Sequence, residues 1–261
     1  MDWTVGAGLV AGLLIALVTA PVGVSGAVFL LPVQLTVLGV PNPAITPTNL
    51  LFNVVAGPGA LWRYRRDGSL RSGLARRLVA GTLPGVVAGA ALRVFVLPGP
   101  GVFRVLIAVL MLPLGLWLCV RALAPGRDRP AEAREPSPGA LTALALAVGV
   151  IGGIYGIGGG SLLGPVLAAR GMPMVLVAPA ALVTTFATSI VGAVAFALLS
   201  LASTGDVAPD WWLGSACGVG GLVGGYLGAR LQPRLPDRVL RLLLGTLATA
   251  LGAFYAVQGL G

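Results

Sequence analysis

Asn49 and Asn53 stand four residues apart in an otherwise apolar stretch, and Thr184 and Thr188 do the same in another. If both stretches are helical, each pair occupies one helix face. Thr46, Thr48, Thr185 and Ser189 lie beside them. Amide and hydroxyl groups set into apolar sequence are neutral donors, suited to holding an oxyanion that must also be released. Threonine hydroxyls can equally bond carbonyls of their own or a neighbouring helix. That second reading is weaker for the Asn pair, because an amide costs more to bury without a partner.

The run Gly156-Ile-Gly-Gly-Gly160, with Ser161 and Pro165 beyond it, is the sharpest local signal. Glycines let backbone approach a ligand and turn through positive φ, and a helix starting there directs N–H groups towards the site. A weaker copy, Val24-Ser25-Gly26-Ala27, adds the Ser25 hydroxyl. The same glycines would also serve tight helix packing, for which Gly81, Gly85 and Gly89, or Gly220, Gly224 and Gly228, have the small-xxx-small spacing. The candidate substrate-binding set is therefore Ser25, Gly26, Thr48, Asn49, Asn53, Gly158, Gly159, Gly160, Ser161, Thr184, Thr185 and Thr188. Gln34 reads as interhelical glue, and Arg170 as a snorkelling anchor at a membrane edge.

What must position these groups is a membrane. Of 261 residues 57% are hydrophobic and 10% charged, against the roughly 25% charged of a soluble domain. No charge falls between Trp3 and Trp62, and only Arg170 interrupts the stretch from Pro136 to Gly205. At roughly 20 residues per crossing, the chain reads as an all-α polytopic membrane protein. Met1-Asp2-Trp3 lacks the basic region of a cleavable signal, so the first apolar segment is expected to stay in place.

Composition removes several chemistries. The chain has no His and no Lys, which excludes His-ligated metals, Ser-His-Asp triads and a Walker A loop. Cys119 and Cys217 sit in apolar segments without CxxC spacing and read as small buried hydrophobes. No metal or other cofactor is implied. All eight acids lie at the N-terminus or in loops, so no intramembrane carboxylate relay is visible. The net charge of +9 comes entirely from Arg and reports basic loops facing the cytoplasm, with no nucleic acid implied.

Pro, Gly and Arg cut the chain into ten apolar segments, five on each side of the polar stretch from Pro125 to Pro138. The division expected is a first repeat over 1–124, a cytoplasmic linker over 125–138 and a second repeat over 139–261. Gly23-Val-Ser-Gly26 with Pro32 matches Gly156-Ile-Gly-Gly159 with Pro165 at an offset of 133, and Gly39-Val-Pro41 resembles Gly171-Met-Pro173. One half is a diverged copy of the other. The loop after the third segment carries six Arg from Arg63 to Arg77, whereas its copy from Ser203 to Asp210 carries none. With the first loop in the cytoplasm, 15 Arg fall inside and only Arg93 and Arg104 outside. Two repeats of inverted topology follow, with 8–10 membrane segments and both termini outside. The first two segments of each repeat are short and broken, which predicts a discontinuous or re-entrant hairpin entering from each face.

A duplicated Gly-rich run followed by Pro, then Gly-x-Pro, then a Thr/Asn-rich helix, with Trp62-Arg-Tyr-Arg-Arg-Asp-Gly-Ser69 in the first copy, resembles the sulfite exporter TauE/SafE family of membrane permeases. The match covers nearly the whole chain. It carries to Gly156, Gly158, Gly159, Gly160, Pro165, Thr185 and Ser189. The first copy departs from the pattern at Val24, Ser25 and Ala27, and at Asn49 after Thr48. The resemblance implies export of sulfite or a small organosulfonate across the prokaryotic cytoplasmic membrane. A secondary transporter of a small anion is the reading adopted, with the bilayer as its surroundings and H⁺ or Na⁺ as the coupling ion; oligomeric state is not legible. Transport of another small solute is the alternative. An intramembrane enzyme would have only Ser, Thr and Cys to work with.

Overall fold

The computed structural model describes residues 3–40, 42–70, 73–96, 101–123, 137–200 and 209–260. Its elements are α1 (Trp3–Thr19), α2 (Ala27–Thr36), α3 (Asn42–Arg66), α4 (Gly73–Phe95), α5 (Gly101–Leu123), α6 (Pro138–Tyr155), α7 (Gly160–Ala169), α8 (Met174–Ser200), α9 (Trp211–Leu231) and α10 (Asp237–Leu260), with 3₁₀ turns at Ala20–Val22 and Gln232–Arg234. No strand occurs among the described residues. Four stretches, Trp3–Val22, Gly73–Phe95, Met174–Leu199 and Asp237–Gln258, are long and apolar enough to cross a membrane. Uncharged polar groups sit within the apolar interior and large apolar side chains cover the outside: Asn49, Thr184 and Thr188 are fully buried, while Val109, Val120, Leu198 and Trp212 are exposed. An apolar exterior of this kind suits a lipid solvent.

The two glycine-containing breaks share a local backbone geometry. Gly23 and Gly156 close the first helix of each half in nearly the same left-handed conformation, φ 73 and ψ 20 against φ 68 and ψ 19. A side chain is strained there, which is why glycine stands in both copies. Gly26 and Gly159 then start the next helix with φ −58 and −61. The helices they start, α2 and α7, are each 10 residues long with an internal proline, Pro32 and Pro165. Ten residues rise only about 15 Å, roughly half a bilayer core. Pro21 explains one local difference, because it turns the end of the first helix into a 3₁₀ turn where α6 runs on to Tyr155.

Packing crosses between the halves. The largest contacts join α1 to α9, α4 to α6, α3 to α9 and α5 to α10. Glycine makes these possible: a Cβ at Gly12 would lie 2.0 Å from the Cys217 carbonyl oxygen, and one at Gly85 would lie 2.3 Å from that of Leu146. Backbones this close exchange dispersion contacts that larger residues would prevent. Neighbours advance together along α1 and α9, since Gly8 meets Leu213 and Gly224 meets Leu13, so these helices run parallel. The corresponding helices α3 and α8 run antiparallel, with Gly57 against Phe186 and Leu50 against Gly192. So do α5 and α10, with Gly115 against Thr249 and Gly252 against Leu112.

One end of the bundle gathers Arg63, Arg65 and Arg66 on α3, Arg121 on α5 and Arg230 on α9. There Arg241 Nη1 and Nη2 donate to the carbonyl oxygens of Ala168 at 2.5 Å and Met172 at 2.7 Å, just past the end of α7. Asp237 pairs with Arg241 and accepts from the Met174 N–H at 2.9 Å. Arg121 Nη1 donates to the Ala169 carbonyl at 3.2 Å. These cations cap the negative end of α7 and fasten it to α5 and α10. Arg170, read as a snorkelling anchor, occupies the C-cap of α7. Arg93 lies in the last turn of α4 and is only 9% exposed.

Candidate functional site

Breaking a helix strands backbone carbonyls and N–H groups, which inside a membrane must find partners within the protein. The polar faces of α3 and α8 supply them. Thr46 Oγ1 donates to the Ile154 carbonyl at 3.3 Å, Asn53 Nδ2 to that of Gly156 at 3.4 Å, and Asn49 Nδ2 to that of Ala27 at 3.3 Å. Thr188 Oγ1 accepts from the Gly159 N–H at 3.2 Å. Ser161 Oγ donates to Ile157 and accepts from the Ser25 N–H at 3.3 Å, so the starts of α2 and α7 meet. Ser25 Oγ donates to Asn53 Oδ1 and accepts from the Ala27 N–H.

Beside this junction lies a cavity of about 40 Å³. It is lined from both halves by Thr19 of α1, Ser25 and Gly26 of the first break, Asn53 of α3 and Thr185 of α8, among walls that include Phe52 and Phe186. A buried water needs ~10–15 Å³ by the same measure, so the space accommodates about three water-sized groups. None of its sixteen lining residues is charged. From Asn53, near the middle of α3, it extends past Gly57 to Ala60, and along α9 past Gly221 to Gly225, towards the arginine-rich end.

The hydroxyls separate into two kinds. Thr48, Thr82, Thr184 and Thr188 each donate to a carbonyl four residues back in their own helix. Their hydroxyl hydrogens are thereby used. Thr19 and Thr185 are 2% and 4% exposed, and their Oγ1 atoms have no hydrogen-bond partner. Leaving such a group unsatisfied costs about 1–3 kcal/mol. Both residues line the cavity.

Of the residues expected from sequence to bind substrate, Ser25, Gly26, Asn53 and Thr185 line this cavity together. Ser161 touches Ser25 and lines a smaller apolar pocket with Val24 and Leu162. Thr48 lies elsewhere, accepting from the Asp210 N–H at 2.9 Å. Thr184 bonds its own helix, and Asn49 holds the start of α2 while its Oδ1 has no partner. The glycine run packs: a Cβ at Gly160 would lie 1.7 Å from the Ala181 carbonyl oxygen, one at Gly159 2.9 Å from Thr82, and one at Gly158 2.5 Å from Thr185. Gly158 also needs its φ of 71. Thr19 was not anticipated; its one signal is a hydroxyl immediately before the Ala20-Pro21 break. Gln34, read as glue, is buried with neither amide atom hydrogen-bonded. No cluster of potential metal ligands occurs among the described residues.

No curated protein and no solved structure matches the chain. A family model does: that of the sulfite exporter TauE/SafE family, over residues 8–255. Its members are membrane transporters that export sulfite and sulfonates. The extent of that match, on a bundle with apolar helices outside and two broken helices within, places the chain in the sulfite exporter TauE/SafE family.

Proposed function

We propose that the protein is a secondary transporter that exports a small anion such as sulfite, binding it in the cavity lined by Thr19, Ser25, Asn53 and Thr185. The observation that carries this reading is one uncharged cavity lined from both halves by Thr19 and Thr185, two buried residues whose hydroxyls have no hydrogen-bond partner. Thr19 and Thr185 donate to the anion, and Asn53 Nδ2 has a second hydrogen to offer beside the one aimed at Gly156. The starts of α2 and α7 add partial positive charge.

The transport scheme is alternating access between two inverted repeats, 1–124 and 139–261, joined by a cytoplasmic linker. Antiparallel packing of α3 with α8 and of α5 with α10 supports the inversion. The arginine-rich end faces the cytoplasm and both termini face outward, by the preference of Arg for that side. The cavity then leads from the bundle midpoint towards the cytoplasm, the side from which an exporter loads. The test is sulfite flux from proteoliposomes. Wild-type protein moves sulfite, Ser25→Ala and Thr185→Val reduce the flux severalfold, and equal flux in all three would remove the site.

A further inference from the structure

Resting on that reading of the cavity, we infer that the site takes its substrate as a singly charged, protonated oxyanion, hydrogen sulfite in place of the sulfite dianion. Desolvation cost grows with the square of the charge, so a dianion is about fourfold more expensive than a monoanion to bring into the same low-dielectric space. A guanidinium in the site would offset much of that cost. Here the chain spends none: the sixteen lining residues include no Arg. What the site provides is the start of α2 at Gly26, which lines the cavity. At roughly half a positive charge, that helix start offsets part of a monoanion's charge and a smaller share of a dianion's.

Hydrogen-bond inventory points the same way. A hydroxyl both donates and accepts, and Thr19 and Thr185 each keep both functions unspent. A protonated oxyanion presents acceptor oxygens and one O–H donor, so it can fill the acceptor side of one of the two hydroxyls; the dianion can fill neither.

No ionisable side chain lines the cavity to change charge with pH. On the surrounding helices, α1, α2 and α8 carry none among the described residues. On α3 the Tyr64 hydroxyl donates to the Ala20 carbonyl at 3.1 Å, and Arg63 pairs with Asp67 at 2.8 Å, with Arg65 and Arg66 in the same last turn. On α9, Cys217 faces Gly8, Tyr226 packs its ring on Trp62, and Arg230 lies in the final turn. Asp210 at its start accepts from Leu213 N–H. The pH dependence of binding therefore belongs to the substrate, whose second ionisation falls near neutrality.

The test is equilibrium binding to the full chain purified in detergent, which removes any contribution of a pH gradient to flux. Sulfite, methanesulfonate and sulfate are titrated at a series of pH values on both sides of neutrality. Methanesulfonate, a monoanion throughout, binds with unchanging affinity. Sulfite loses roughly tenfold in apparent affinity per pH unit once its protonated fraction declines. Sulfate does not compete. Sulfate binding as tight as methanesulfonate, or sulfite affinity that is flat or rises with pH, overturns the inference while leaving the anion site intact. If none of the three binds, or if Thr185→Val binds all three as the parent does, the anion site itself fails and the inference with it.

Discussion

The Ser25 backbone N–H donates to Ser161 Oγ at 3.3 Å, although the two residues are 136 positions apart. This bond ties the start of one half-length helix to the first turn of the other, and Ser161 Oγ also donates to Ile157 at 2.7 Å. Any movement of one break relative to the other must stretch or remake it. Ser161→Ala is expected to cost about 1 kcal/mol of stability, the usual net worth of one hydrogen bond. Sulfite flux should fall further than that figure accounts for. Thermal unfolding in detergent beside proteoliposome flux checks both; unchanged flux would mean the junction does not take part in transport.

Thr19→Val and Thr185→Val have an unusual sign. Each removes a buried hydroxyl that has no partner and puts a methyl in its place, so the ligand-free protein should keep its melting temperature or gain slightly. The stabilisation produced by added substrate should shrink by about 1.5–3 kcal/mol per site, the loss of a hydrogen bond to a charged group. A variant that is destabilised without substrate would indicate that the hydroxyl holds the fold.

Glycines of the second break differ from surface glycines in what a methyl group would meet. Gly160→Ala drives a Cβ to 1.7 Å from the Ala181 carbonyl oxygen, and this variant should not accumulate as folded protein. Gly39→Ala meets nothing within 4 Å and only strains a φ of 68, at a cost of about 1–2 kcal/mol. Expression and size-exclusion profiles of the two variants separate close packing from backbone strain.

The Arg241 guanidinium holds the Ala168 and Met172 carbonyls and Asp237 together. Arg241→Gln should lower the unfolding free energy by about 1–3 kcal/mol, and Arg241→Lys should recover part of it, since an ammonium restores charge but not the forked geometry. Equal stability of all three would show that solvent caps α7 as well as the arginine does.

Orientation is open to direct measurement. In a background with Cys119 and Cys217 changed to Ala, single cysteines at Ser69 and at Thr204, the latter outside the described residues, should react with an impermeant reagent from opposite sides of the membrane. Labelling of both from the same side contradicts inverted repeats.

Much of the fold could be read in advance because lipid imposes a coarse alphabet. The ten apolar segments have their counterparts in the ten α-helices among the described residues, and the matched pair Gly23 and Gly156 share one backbone conformation. Site residues were less legible, since a threonine's sequence context does not reveal where its hydroxyl hydrogen goes. Thr184 and Thr185 are adjacent, yet one bonds Ala180 and the other, which lines the cavity, has no partner for its hydroxyl. The Asn pair, expected to bind ligand, also carries a structural duty, because Asn49 and Asn53 hold carbonyls that the helix breaks leave stranded. That duty depends on which break packs against α3, a relation spanning more than 100 residues at Asn53 and Gly156.

The parallel pairing of α1 with α9 bears on how the molecule is made. During synthesis α1 leaves the ribosome about 200 residues ahead of α9, the helix whose glycines let it pack. Until then the groove at Gly8 and Gly12 has only lipid or the insertion machinery to cover it. Long-range pairing of this kind delays assembly. The nascent first half therefore waits in the bilayer as an incomplete bundle, and a ribosome that stalls after α5 leaves behind a fragment whose natural partners were never made.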